Sequence, residues 1–374
     1  MRIPSSKPGR LLFIDNIRVF LTILVILHHL MVIYSHDGGW IYFDNRQDDI
    51  TVLVGRWFLG TNQSYFMGLF LFISAYFVPG AYDRKGVGRF IKDRLIRLGI
   101  PLVVYAWIIR PVWYYFTFQV PGDFWQWYRG DYFKYFGFIG GGPLWFIEVL
   151  LIFACFYALY RLFKPQPVVP IPDARFPKSG TIVLFAFLLG IVSFIVRLWF
   201  PRDTTITELN LQLANFPQYI ALFILGLVAY PRNWMMTLGQ KTARNWMIVA
   251  VTLSVLPLIV GFTFFPRADA LVENIFELVS ALWESFMCVA MCITVIHIFR
   301  TKADHQGKIV KWLSPNAYTA YLVHEPIITT IAIAVGFIVI HPLLKFSLMG
   351  LVTVPLVFIA SALIRKIPFT DRVL

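Results

Sequence analysis

The sequence predicts an all-α, polytopic membrane protein: a bundle of about ten transmembrane helices with both termini in the cytoplasm. The first observation behind this fold class is composition, since 58% of the 374 residues are hydrophobic and only 14% are charged. Soluble domains have about 25% charged residues. With so few charges, most of the protein surface must face lipid. The other two observations are the lengths of the apolar stretches and the distribution of Lys and Arg between them.

Apolar stretches long enough to cross a bilayer recur along the whole chain. A bilayer core requires about 20 predominantly apolar residues per helix. Turn-forming residues separate several of the stretches, as at Gly140–Pro143, Pro165–Pro172 and Ser314–Asn316. The ten predicted spans are 11–33, 60–80, 98–118, 143–163, 180–200, 216–230, 246–265, 275–299, 315–340 and 345–364.

The basic residues predict the orientation of these spans. Cytoplasmic loops of membrane proteins are enriched in Lys and Arg. With the N-terminus in the cytoplasm, 23 of the 33 Lys and Arg residues fall in inner segments. Those segments are 1–10, 84–97, 161–178, 232–244, 300–311 and 365–372. No linker or repeat marks a second domain, so residues 1–374 are predicted to form one integral-membrane domain.

The net charge of +13 does not indicate a nucleic-acid partner. The basic residues lie in short loops and are not interleaved with stacking aromatic residues in a polar segment. The three cysteines, Cys155, Cys288 and Cys292, form neither a disulfide framework nor a zinc-ligand pattern. We therefore expect a lipid-embedded protein with no metal site and no tightly bound cofactor.

The first predicted helix carries ionisable residues, which are costly in a membrane and therefore indicate function. Arg18 and His29 are eleven residues apart, which places them on one helix face about 16 Å apart along the axis. Asp15 is one turn before Arg18 and can pair with it. A histidine suits the role of general base because its unperturbed pKa is near neutrality. The alternative is that Arg18 extends to the inner interface and His29 only bonds a neighbouring helix.

Two further helices carry polar residues at membrane depth. Trp145 begins the fourth span, and Glu148 lies one turn deeper. Trp145 alone is typical of an interfacial aromatic belt, whereas Glu148 is harder to explain without a function. In the ninth span, Tyr318, Tyr321 and His324 share a face and Glu325 follows them. That group, like the lone carboxylate Glu284 of the eighth span, is equally compatible with hydrogen bonding between helices.

The segment 84–97 is the most basic of the inner loops. Arg94 and Arg97 lie one turn apart at the mouth of the third span, where two guanidinium groups can bind a phosphate-bearing ligand. Orientation in the membrane and attraction to anionic lipid are the alternative explanation for most of these charges.

Several motifs, in order along nearly the whole chain, resemble a known family. Asp15–Arg18, followed by ten residues and His29, is similar to the arginine-to-histidine motif in the first helix of the acyltransferase-3 membrane family. These bacterial enzymes acylate glycans of the cell envelope. The other matching segments are Phe70–Ser74, Arg94–Leu98 with Pro101, Pro143–Phe146 and Ala317–His324. The start of the chain resembles members of the glucan-biosynthesis-protein-C type, which are proposed to succinylate periplasmic glucans.

The resemblance implies an enzyme of the bacterial cytoplasmic membrane. It would move an acetyl or succinyl group from cytoplasmic acyl-CoA to a hydroxyl of a carbohydrate acceptor at the outer face. Arg94 and Arg97 would then hold the CoA phosphates, and Arg18 would line the path of the pantetheine arm. His29 would act as general base, and Glu148 would either orient it or shape the acceptor side.

The remaining candidate residues would contact the acceptor, namely Trp145, Tyr321 and His324. Two other classes of protein stay open at this point. Membrane His and Glu residues also suit a proton-coupled transporter. A metal-dependent membrane hydrolase would need ligands from several helices, because adjacent His28 and His29 cannot share one helix face.

Overall fold

Helices form the regular structure of the computed structural model, which describes residues 11–138, 142–172, 174–261, 270–368, 370, 373 and 374. Only the backbone is described at 259–261 and 270–273. Helix accounts for 78% of the structure and no strand occurs among the described residues, so the all-α fold class is confirmed. Some basic residues of the predicted inner segments and two glycines of a predicted turn lie outside the described residues: Arg2, Lys7, Arg10, Arg372, Gly140 and Gly141.

The longer helices are numbered here in chain order. They are α1 (Leu12–Ser35), α2 (Asp49–Gln63), α3 (Phe66–Tyr76), α4 (Val78–Thr117), α5 (Trp145–Phe163), α6 (Ser179–Trp199), α7 (Phe216–Arg232), α8 (Gln240–Gly261), α9 (Ala270–Lys302), α10 (Lys308–Ala334) and α11 (Pro342–Ile364). Short helical segments, Phe124–Trp127, Tyr128–Tyr132, Phe133–Phe136 and Trp234–Thr237, lie between them.

Seven segments of the described chain are long and apolar enough to cross a membrane. They correspond to the predicted spans 11–33, 98–118, 143–163, 180–200, 216–230, 275–299 and 345–364. The predicted spans 60–80, 246–265 and 315–340 are not among the seven. Helices α2, α3, α8 and α10 occupy these stretches, and the end of 246–265 lies outside the described residues. The structure thus supports a multi-pass protein, while the count of ten and the orientation of the termini stay predictions.

Helix α1 lies at the centre of the bundle. It packs against α2, α3, α9, α10 and α11, and 72% of its most apolar stretch is buried, against 33% for α6 and α11. Most faces of α1 are apolar, as expected for a helix surrounded by protein. Asn16, Thr22 and His28 of α1 therefore lie in the interior of the molecule, whereas the Arg18 side chain is 40% exposed. Helices α6 and α11 present much of their surface to the outside of the bundle.

The predicted span 60–80 is broken near its start. Helix α2 ends at Gln63, α3 begins at Phe66, and the carbonyl of Ser64 lies between them. Non-helical backbone at membrane depth is tolerated only inside protein or beside a cavity, because its polar groups must find partners. The buried Gln218 of α7 meets this requirement, since its Nε2 donates to the Ser64 carbonyl at 2.6 Å.

Proline residues shape α4 in a comparable way. A proline has no N–H, so the carbonyl four residues earlier loses its helical donor. Pro101 and Pro111 free the carbonyls of Arg97 and Trp107 in this way. The Tyr318 hydroxyl of α10 donates to the first, and the Tyr128 hydroxyl donates to the second at 3.0 Å. The backbone at Arg97 is therefore attached to α10.

Candidate active site

A cavity of about 820 Å³ opens at the C-terminal end of α1. It is lined by the end of α1, the loop 36–48, the residues around the break between α2 and α3, residues 142–145 at the start of α5, and the segment 202–219. Arg110 of α4, Tyr135, Phe136 and Glu284 of α9 complete this part of the wall. Helix α10 adds Tyr321 and Glu325 to its wall. Because α1 is surrounded by other helices, its last turns and the loops around them enclose space inside the bundle.

His29 faces this cavity and is held on two sides. The indole of Trp40, from the loop after α1, stacks on the imidazole with ring centroids 4.4 Å apart and an interplanar angle of 24°. His29 Nδ1 lies 3.0 Å from Nε2 of His324 in α10. Trp40 is itself fixed, since its Nε1 donates to the Thr329 hydroxyl at 3.1 Å. The predicted catalytic histidine therefore has a defined ring orientation.

His28 also lines the cavity, although it is on a different face of α1 from His29. Its ring packs against Phe66 at the start of α3, with centroids 4.9 Å apart. The cavity extends around the end of α1, which explains why two adjacent histidines both reach it.

The structure brings together three of the residues predicted to bind the acceptor, but only two of them line the cavity. Trp145 stacks on Tyr219 with centroids 5.3 Å apart, and the Tyr321 hydroxyl donates to the Pro143 carbonyl. His324 is fully buried, and its Nδ1 lies 2.6 Å from the Tyr321 carbonyl. His324 thus contacts His29 and is not part of the described cavity wall.

Glu148 lies one turn after Trp145 and is 5% exposed. It does not line the cavity, and its Oε2 has no hydrogen-bond partner among the residues that the structure describes. Its predicted part in orienting His29 stays a prediction, because the hydrogen-bond partners that the structure gives the His29 ring are His324 and the Val25 backbone carbonyl.

The arginines predicted to bind CoA gather at the opposite end of α1. Arg18 Nη1 lies 3.2 Å from Asp15 Oδ1, which confirms the predicted pair, and its guanidinium lies over the Phe77 ring. Arg94 interacts electrostatically with both Arg97 and Arg18. The three arginines form one basic cluster that does not belong to the cavity wall. About 16 Å of α1 separates Arg18 from His29.

Every charged side chain of the cavity wall belongs to an ion pair. Arg110 of α4 and Glu325 of α10 are each 1% exposed and lie 3.3 Å apart, and the Tyr105 hydroxyl donates to the same carboxylate. Arg202, in the loop after α6, lies 2.5 Å from Glu284. Asp37 pairs with Arg56 at 3.8 Å. The wall is therefore polar but nearly neutral in charge.

The loop residue Arg202 contacts two carboxylates, Glu284 at 2.5 Å and Glu277 at 2.9 Å. Burial favours the neutral form of its guanidinium. The two glutamates outweigh this effect and raise the pKa of Arg202 above its usual value. Arg202 is thus a permanent cation whose charge is already compensated by protein groups.

Comparison with known proteins shows the family. The family model for the acyltransferase domain of acyltransferase-3 proteins matches residues 11–362, nearly the whole chain. The chain belongs to the acyltransferase-3 family. The resemblance seen in the sequence motifs is thereby confirmed, and the protein is a membrane acyltransferase.

One similar protein is glucans biosynthesis protein C of Escherichia coli O6:K15:H31 (strain 536 / UPEC). It is 22% identical over 327 residues, which cover 84% of this chain and 81% of that protein. No solved structure matches the chain significantly.

Sequence reasoning missed Trp40, Arg110 and the partners of Glu284. The sequence position of Arg110 could have indicated its importance, because an ionisable residue inside a predicted span indicates function or a buried partner. The position of Glu284 could also have done so, but its arginine partners lie on another helix and in a distant loop. The position of Trp40 could not, since a loop tryptophan is ordinary until the fold places it on the His29 ring.

Proposed function

We propose that this acyltransferase moves an acetyl or succinyl group from cytoplasmic acyl-CoA to a hydroxyl of an envelope carbohydrate at the outer face. The observation that carries the proposal is the separation of two sites along α1. A basic cluster lies at its N-terminal end, and a cavity containing His29 lies at its C-terminal end. A thioester bound by its phosphates at one end can thus meet an acceptor at the other.

The proposed orientation in the membrane follows from the difference in charge between the two ends of α1. The basic segment 84–97 would face the cytoplasm, and the loops 36–48 and 200–215 would face outward. This arrangement corresponds to ten crossings, with both termini in the cytoplasm of a bacterial inner membrane. It agrees with the bias of Lys and Arg among the loops.

At the donor end, Arg94 and Arg97 would bind the phosphates of CoA through charge-assisted hydrogen bonds. Arg18 belongs to the same basic cluster and would line the path of the pantetheine arm into the bundle. The hydrogen bond from the Tyr318 hydroxyl to the Arg97 carbonyl supports the role of Arg94 and Arg97, because it fixes the backbone of this basic pair.

In the transfer step, His29 would remove the proton of the acceptor hydroxyl as its oxygen attacks the thioester carbonyl carbon. The carbon–sulfur bond then breaks, and the proton held by His29 passes to the leaving thiolate. The products are the acyl ester of the acceptor and free CoA. The stacking of Trp40 on His29 would keep the ring aligned with the attacking oxygen.

The composition of the cavity wall supports a neutral carbohydrate as acceptor. Each of its charged groups belongs to an ion pair, so they offer little net attraction to an ionic substrate. Amide and hydroxyl side chains are abundant, and these hydrogen-bond sugar hydroxyls. They are Gln63, Thr205, Thr207, Asn210, Gln212, Asn215 and Gln218. The aromatic side chains of Trp40 and Trp145 add flat apolar surfaces against which a sugar ring can pack.

The test is acyl transfer by the purified protein in lipid nanodiscs. Radiolabelled acetyl-CoA or succinyl-CoA is supplied with a glucan oligosaccharide, and ester formation is measured. His29→Ala should lower turnover by about 10²–10⁴-fold, the usual range for a general base, while CoA binding is retained. The control His297→Ala removes a histidine of α9 that lies outside the cavity wall and should leave turnover unchanged.

Retained turnover in His29→Ala would remove His29 from the mechanism. Absence of transfer by the wild-type protein, together with proton-gradient-driven uptake of a solute into proteoliposomes, would instead favour the transporter alternative.

A further inference from the structure

The ring nitrogens of His29 and His324 form a chain that begins at a backbone carbonyl. The Tyr321 carbonyl lies 2.6 Å from His324 Nδ1, and His324 Nε2 lies 3.0 Å from His29 Nδ1. A carbonyl oxygen only accepts hydrogen bonds, so His324 Nδ1 must carry a proton. The state of the other two nitrogens then depends on the charge of His324.

His324 is in a position that favours the neutral ring. It is fully buried, and burying a charge without a partner is costly. The nearby carboxylate of Glu325 is engaged by Arg110 and by the Tyr105 hydroxyl. A neutral ring that is protonated at Nδ1 has a lone pair at Nε2 and can only accept there. His29 Nδ1 must therefore be the donor in the contact between the two histidines.

We infer that His324 is a positioning residue that fixes His29 in the tautomer protonated at Nδ1, with the lone pair of Nε2 available as the base. This inference rests on the proposed function of His29. It replaces the predicted role of His324 in substrate binding, because the His324 ring contacts His29 and lies outside the described cavity wall.

The hydrogen bond between His29 and His324 also has a role after His29 has taken the acceptor proton. When His29 Nε2 takes the acceptor proton, the ring becomes an imidazolium and its Nδ1–H is retained. That N–H then makes a charge-assisted hydrogen bond to His324 Nε2, which is stronger than the neutral bond before it. His324 thereby stabilises the charge that develops during transfer and does so without adding a negative charge to an apolar region.

Two variants of His324 separate positioning from packing. His324→Gln retains an acceptor, since its Oε1 is as many bonds from the backbone as the imidazole Nε2. His324→Leu has similar volume and no acceptor. Removal of the group that fixes a catalytic tautomer or a ligating histidine costs about 10-fold to 10⁴-fold in rate. We expect His324→Leu to lose at least about tenfold in kcat, with KM for acyl-CoA and acceptor unchanged, and His324→Gln to retain most of the turnover.

Nitrogen NMR of protein labelled with ¹⁵N-histidine tests the tautomer directly. The resonances of His29 are those missing from the spectrum of His29→Gln. At neutral pH we expect a protonated Nδ1 and an unprotonated Nε2 in the wild-type protein and in His324→Gln. In His324→Leu the Nδ1–H preference should weaken, because the acceptor at His324 Nε2 is gone while the hydrogen bond to the Val25 backbone carbonyl remains.

A wild-type His29 protonated at Nε2, or full turnover in a folded His324→Leu, would overturn the inference. If His324→Leu does not fold, the NMR spectra of the wild-type protein and of His324→Gln still decide it. If the wild-type protein transfers no acyl group, the proposed function fails while the tautomer measurement stays decisive for His324.

Discussion

Lys345 and Asp44 form an ion pair that joins the loop after α1 to the first turn of α11. Their charged atoms lie 2.7 Å apart, and each side chain is 3% exposed. The Asp44 backbone is also held, since its N–H donates to the Ile33 carbonyl and its carbonyl accepts from His36. The same loop carries Trp40, so this pair stabilises the segment that covers His29.

Asp44→Asn should reduce the free energy of unfolding by about 3–5 kcal/mol, the cost of leaving a buried charge without its counter-ion. The measurement is unfolding in mixed micelles. The exposed Asp49→Asn serves as the control and should change stability by less than about 0.5 kcal/mol. Replacing both partners, as in Asp44→Leu with Lys345→Met, should recover most of the loss. A loss below about 1 kcal/mol in Asp44→Asn would show that the pair contributes little.

The break between α2 and α3 is the element that gives the cavity one of its walls. Gln63, Phe66 and Met67 line the cavity from either side of the break. A continuous helix would have satisfied the Ser64 carbonyl within its own backbone. Here Gln218 of α7 supplies the donor, so α7 is needed for the irregular backbone to exist in an apolar environment.

Gln218→Leu should destabilise the protein by about 1–3 kcal/mol, because it leaves a buried carbonyl without a hydrogen bond. The change is measured as a shift in the midpoint of unfolding in micelles. The matched control is Gln240→Leu, a substitution of the same type at an exposed position, which should cost less than about 0.5 kcal/mol. Equal effects of the two substitutions would mean that the break does not depend on Gln218.

At the scale of the whole molecule, α1 connects two chemically different ends. The basic cluster of Arg18, Arg94 and Arg97 is at one end, and the nearly neutral cavity with His29 is at the other. Under the proposed function, a donor with phosphate groups would bind at one end and a neutral acceptor at the other, so the two would not compete. This separation is the feature of the molecule that best suits a transfer across a membrane.

Acyl-CoA should stabilise the folded protein against heat. A ligand that binds only the folded state adds about 2.7 kcal/mol at 100 times its Kd. We expect acetyl-CoA or succinyl-CoA, and not ATP, to raise the melting temperature in detergent. Replacement of Arg94 and Arg97 by Ala should weaken binding at least about tenfold, since hydrogen bonds to charged groups contribute about 1.5–3 kcal/mol each.

The control for this measurement is Arg89→Ala, which removes an exposed arginine of the same segment. It should leave the acyl-CoA shift unchanged. An equal loss in Arg89→Ala would mean that the segment attracts CoA only by its total charge. No shift with any CoA species would contradict a donor site at this end of α1.

The sequence by itself determined the properties that depend on local pattern. Apolar stretches of bilayer length predicted the helical membrane fold, and helix periodicity predicted the Asp15–Arg18 pair. The order of the motifs identified the family. Apolar runs, helix periodicity and short motifs are each defined by residues close together in the sequence. They can therefore be recognised without knowing how the helices pack.

Only the tertiary structure decided which polar groups meet. His29 and His324 are 295 residues apart, and Asp44 and Lys345 are 301 apart. Their contacts depend on the rotation of each helix about its axis and on the path of the loops, neither of which hydropathy encodes. The break at Ser64 is a further example. An apolar run predicts a straight span, and the donor that makes a break possible comes from a helix more than 150 residues later.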